Sequence, residues 1–63
     1  MKDGIYEIDD KYSLTRVADN AGQFATAEWQ QNWADKFQRK LVLRENGRTV
    51  VIAEPSTQAV ANA

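Results

Sequence analysis

Asn46-Gly47 narrows what this chain can fold into more than any other pair of its residues. Both central positions of a type I′ turn require positive φ, which Asn and Gly reach at the least cost, and the flanking runs are rich in β-formers. The spacing predicts a hairpin over 41–53 in which Glu45 faces Arg48, Arg44 faces Thr49, Leu43 faces Val50, Val42 faces Val51 and Leu41 faces Ile52. This register gathers Leu41, Leu43, Val50 and Ile52 on one side, as a half-buried ladder requires. The other side, with Val42, Val51, Arg44 and Thr49, is half apolar.

Upstream, Trp29, Trp33 and Phe37 recur every four residues and draw an aromatic stripe along a helix predicted over 26–38. Thr26 suits the N-cap, Glu28 the positive end of the helix dipole, and Lys36, Arg39 and Lys40 its negative end. Steps of four residues drift by about 40° each, so Trp29 and Phe37 point about 80° apart and differ in burial. Both tryptophans are expected to anchor the core.

The N-terminal run admits two periods. Read as strands over 5–17 with the loop 9–11, it pairs Ile8 with Tyr12 and Tyr6 with Leu14 on an inward face. Read as a helix capped by Ser13, it repeats Leu14, Val17, Ala18 and Ala21 and stops at Gly22. Tyr12, Thr15 and Val17 favour strands, so the expected fold is a small two-layer α+β domain of order β-β-α-β-β, one amphipathic helix packed on an antiparallel sheet. The alternative order is β-α-α-β-β. With Ala18 and Gly22 at helix-turn-helix spacing and the hairpin as a wing, it resembles a winged-helix DNA reader in outline. Glu28 and Asp35 would then ride on the recognition helix, where phosphate would repel them. Residues 1–54 are read as a single domain, and 55–63, opened by Pro55 and free of charge, as a flexible tail.

A chain of 63 residues has room for one core only. It contains no Cys and no His, which removes disulfides, thiolate chemistry, the usual nucleophile-and-base pairs and the zinc ligand sets. The glycines are too scattered to cradle a phosphate. Asp9-Asp10 beside Glu7 is the densest acidic cluster, and adjacent aspartates mark a solvated turn far more often than a cation site. No cofactor, metal or catalytic residue is therefore expected, and the chain is read as a non-enzyme. No basic leader precedes an apolar run and no apolar stretch approaches membrane length, so the expected compartment is the cytoplasm, without membrane association.

Function follows from what remains. The leading expectation is a non-catalytic protein-binding module, an accessory or inhibitor protein of bacterial or phage type, with Trp33, Phe37, Val42, Arg44 and Val51 as contact residues. The alternative is a small nucleic-acid-binding regulator using Lys36, Arg39, Lys40, Arg44 and Arg48. Charge is uneven, with three basic and seven acidic side chains in residues 1–35 and five basic and two acidic in 36–63, which marks two interaction faces or self-complementarity within the fold, and the acidic pI near 5.2 counts against nucleic acid. A homodimer formed through the outer hairpin face is a third expectation.

Overall fold

The computed structural model describes residues 2–56. Its order is β1 (Gly4–Ile8), β2 (Leu14–Ala18), a 3-10 turn (Gly22–Ala25), α1 (Ala27–Phe37), β3 (Lys40–Glu45) and β4 (Arg48–Ala53). The four strands form one antiparallel sheet in the spatial order β2-β1-β3-β4, with α1 against one face. This is the β-β-α-β-β arrangement, and the segment that could have been a first helix is strand β2. Of the region read as a tail, Pro55 and Ser56 belong to the described residues, and the remainder lies outside them.

The second hairpin forms as its turn chemistry requires. Asn46 and Gly47 take φ of 53° and 78°, and the first four expected pairs, from Glu45 with Arg48 to Val42 with Val51, all form. The fifth does not. A bulge follows Val51, so Leu41 lies opposite Ala53 and Ile52 becomes the extra residue.

The first hairpin differs from its expected register. Ile8 faces Leu14 instead of Tyr12, and Tyr6 faces Arg16 instead of Leu14. The cause is Asp9, whose Oδ1 accepts from the backbone N–H of Lys11 at 2.8 Å and of Ser13 at 2.9 Å. That carboxylate organises a wider loop and moves the first strand pair two residues further along. Tyr12 is left in the loop at φ 63°, 83% exposed.

The facing of β1 is also the reverse of the expected one. Antiparallel pairing with β3 sets Ile5 against Leu43 and Glu7 against Leu41, so Ile5 points to the helix while Tyr6 and Ile8 point away. Ile5, Ala34, Leu41 and Ala53 form the buried centre, with Val17, Phe24, Trp29, Trp33, Leu43 and Ile52 packed around it.

Helix α1 begins where Thr26 Oγ1 accepts from Trp29 N–H at 3.2 Å, as its sequence predicts. Its centre line of contact is Gln30 and Ala34, with the aromatic stripe along one flank. Phe24 joins that stripe edge-on to Trp29 at 4.8 Å, and Trp33 lies 4.5 Å from Phe37 between ring centres. The drift of the stripe leaves Phe37 49% exposed, while both tryptophans are half-buried against the core. On the other flank, Gln31 Nε2 donates to Glu54 O at 2.6 Å, and Asp35 Oδ1 accepts from Ser56 N at 2.7 Å and Ser56 Oγ at 2.9 Å. These bonds hold the Asp35 carboxyl below its usual pKa, the Ser56 backbone N–H first among them.

The helix ends on Gln38 in the left-handed region, φ 53°, with the Arg39 N–H reaching Ala34 O at 3.2 Å. An L-residue there costs about 1 kcal/mol relative to glycine. Gln38 recovers part of this by donating from Nε2 to Asp35 O at 2.7 Å. Gln38→Gly is therefore expected to gain about 0.5 kcal/mol in urea unfolding, and Gln38→Ala, which keeps the strain and loses the bond, to lose stability. A stabilised alanine variant would contradict this account.

Candidate functional site: the open face of the sheet

Among the described residues no helix or strand covers the face of the sheet away from α1. Strand register arranges it in rows. One row crosses all four strands as Arg16, Tyr6, Val42 and Val51; beside it lie Leu14, Ile8 and Lys40 on one side, and Gly4, Arg44 and Thr49 on the other. The row is closed in the middle and open at the ends: Tyr6 is 5% and Val42 2% exposed, against 48% for Val51.

The charges of these strand positions are all cationic, namely Arg16, Lys40 and Arg44, because alternation sends Glu7 and Glu45 to the helix side. Arg16 is partly committed. Its Nη2 donates to the Asp19 carboxylate and, at 3.1 Å, to Asp3 O. The bond to Asp19 raises the Arg16 pKa and lowers that of Asp19. Arg44 is less satisfied. Its Nη1 donates to Thr49 Oγ1 at 2.8 Å, while its Nε is buried and has no hydrogen-bond partner. Tyr6 is fixed by a bond from its hydroxyl to Lys2 O at 2.5 Å.

The five expected protein-contact residues do not share this surface. Val42, Arg44 and Val51 lie on the open face, whereas Trp33 and Phe37 lie on the helix side of the sheet. Val42 is moreover buried, so it supports the face without presenting an atom of any size. Single-sequence alternation pairs these residues by composition; the two-layer packing separates them. Arg16, Lys40 and the apolar Ile8 and Leu14 join the face instead. Alternation along β1 and β2 did carry their common side, but which side met the helix depended on how β1 pairs with β3.

The five basic residues of the nucleic-acid reading are also dispersed. Lys40 and Arg44 occupy the open face, Arg48 stands opposite Glu45 on the helix side, and Arg39 reaches Glu7 at 3.5 Å. Lys36 sits over the Phe37 ring, 5.3 Å from its centre. Of the aromatic rings available for stacking, Trp29, Trp33 and Phe37 are on the face opposite the cationic one, and Tyr12 stands exposed in the Asp9 loop.

A shallow groove of about 340 Å³ opens where the Asp9 loop meets Gln38–Lys40 and Pro55. The Asp9 carboxyl at its rim is held below its usual pKa by the backbone N–H groups of Ser13 and Lys11. It is thus held as the carboxylate at neutral pH with no proton to give, the reverse of what a general acid needs. Among the described residues no group of three or more acidic, His or Cys side chains is placed to hold a metal ion, and no helix is long and apolar enough to cross a membrane. No protein-family model, curated protein or solved structure matches this chain.

Proposed function

We propose that this domain is a non-catalytic binding module whose open sheet face receives an acidic protein partner. The observation that carries the reading is Arg44: a guanidinium with one buried, unpartnered N–H, set between Gly4 and Thr49 and next to Val42 on a face whose strand charges are all positive. Burying such a group without a partner costs about 1–3 kcal/mol, a cost that a carboxylate docking on the guanidinium would offset once the side chain reorients. Val51 supplies exposed apolar area beside it, the combination of arginine and apolar contact typical of binding hot spots. A protein partner accounts for this face better than single-stranded nucleic acid, because its strands present no exposed ring: Tyr6 is buried, Phe37 lies on the other side, and the exposed Tyr12 belongs to the Asp9 loop. An accessory or inhibitor role in a bacterial or phage setting fits a domain of this size that works by occupying a partner.

The test is affinity capture from a nuclease-treated bacterial lysate with three baits. Wild type and Phe37→Ala are expected to retain the same acidic protein, and the Arg44→Glu plus Val51→Asp double variant to retain it at least about tenfold less well. Capture that disappears with nuclease, or that follows Phe37 and not Arg44, would overturn the reading.

A further inference from the structure

Strand β4 is one of the two edges of the sheet. From Thr49 to Ala53 it has no charged residue, and Val50 and Val51 are 55% and 48% exposed. Soluble proteins usually blunt such an edge with a charge, a proline or a covering segment. The opposite edge does so: β2 has Arg16 at its centre and a bulge after it. In β4 the bulge comes only at Ile52, and Arg48 to Val51 stay in regular pairing with β3. Glu45 and Arg48 close the two-residue turn as a hydrogen-bonded pair. Arg48 and Val50 therefore turn their backbone groups to β3, and Thr49 and Val51 turn theirs to the free edge.

The side chains along this edge favour an acidic strand beside it. On the open face, Arg44 Nη1 donates to Thr49 Oγ1 at 2.8 Å, which brings the guanidinium, with its unpartnered Nε, over the edge strand. On the helix face, Arg48 is exposed and has no salt bridge among the described residues. A hollow of about 410 Å³ opens on that same face, lined by Leu43, Val50, Glu45, Asn46 and Arg48.

Resting on the reading of an acidic protein partner for the open face, we propose that this partner docks by adding an extended segment antiparallel to β4, with one acidic residue opposite Thr49 and another opposite Arg48. Main-chain bonds to Thr49 and Val51 fix the register, and the added side chains alternate between the two faces. The residue opposite Val51 extends the apolar row of the open face, and the one opposite Val50 is a larger apolar group that enters the hollow. The acid opposite Thr49 meets the Arg44 guanidinium, and the acid opposite Arg48 pairs with it across the strands. Along the antiparallel segment this pattern is Val-Leu-Glu-Glu. Antiparallel addition continues the pairing of every strand in the sheet. A second copy of this chain is the poorer occupant, because its own β4 carries no acidic residue. Stacking two copies by their open faces would bring Arg16, Lys40 and Arg44 of both together.

Titrating the isotope-labelled chain with capped, threonine-flanked peptides, and following its backbone amide resonances, tests this. The Val-Leu-Glu-Glu peptide is expected to bind with a Kd between about 10 μM and 1 mM and to shift the Thr49 and Val51 amides most. N-methylation of its first Glu removes the N–H that faces Thr49 and should weaken binding about tenfold or more. N-methylation of its second Glu, whose N–H points away from β4, should change binding by about twofold or less. Replacing both Glu by Lys should cost about tenfold or more. No binding below about 1 mM, N-methyl peptides that bind alike, or a lysine peptide as tight as the acidic one would each overturn the proposal. Displacement separates this failure from that of the open-face reading. If the lysate capture follows Arg44 but the acidic peptide at about 1 mM leaves the captured protein in place, the partner docks on the face without extending the sheet.

Discussion

Leu41→Ala should remove most of the stability of this domain. The side chain is fully buried at the point where β3 passes under α1, with Ile5 beside it, Ala34 above it and Ala53 across the hairpin. Large-to-small changes at such positions cost about 2–5 kcal/mol, the transfer term plus the cavity left behind. A domain of this size has only a few kcal/mol in total to lose. The site has little scope to collapse into the cavity, because α1 is tied on one flank through Gln31 and Asp35 and on the other through the aromatic stripe. In urea unfolding the variant should show a midpoint near zero denaturant or no cooperative transition. Val50→Ala is the control. With more than half its surface exposed, it should change stability by about 0.5 kcal/mol or less. Similar losses for both variants would mean that the helix does not pack over Leu41.

Gly4→Ala should be nearly as costly although it adds a single methyl group. Gly4 sits at φ 150°, a conformation L-residues rarely adopt, and such backbone strain costs about 1–3 kcal/mol. The added Cβ would also stand 2.9 Å from Arg16 Nη2 and 3.0 Å from the Ala18 carbonyl oxygen. The first contact is with the flexible end of a side chain and can give way. The second is with backbone beside the β2 bulge and cannot do so without moving the strand. Combined with Arg16→Ala, the substitution should therefore recover less than about 1 kcal/mol, since the backbone terms remain. Thermal unfolding of the two single variants and the double variant measures this coupling. A neutral Gly4→Ala would show that position 4 is not held at positive φ, and with it the bulged pairing of β1 and β2 would lose its support.

These two positions differ in how far the sequence announces them. Leu41 belongs to a hairpin whose turn dipeptide and apolar alternation agree with each other, and both are local properties of a dozen residues. Gly4 carries no such signal. Its constraint comes from a bulge at Val17 and from an arginine on the neighbouring strand.

The same division runs through the whole molecule. Local chemistry determined the hairpin turn at Asn46-Gly47, the helix with its Thr26 cap, the aromatic stripe and the exposure of Phe37, because each follows from φ preferences, hydrogen bonding within a few residues, or helical pitch. The loop at Asp9 lay at the limit of this kind of reading. Its turn character was plain from composition, but the two amides its carboxylate would collect, and so the register of the first hairpin, were not. Only the tertiary structure decided the strand order β2-β1-β3-β4, and that order decided the rest. It turned Tyr6 and Ile8 away from the helix, set Arg16 in line with Val42 and Val51, put Trp33 and Phe37 on the opposite side from Arg44, and left β4 at an edge. Alternation states which residues share a side of one strand. Which side becomes core is settled by pairing between strands distant in sequence and by the one helix that covers them, and no short window of sequence contains either.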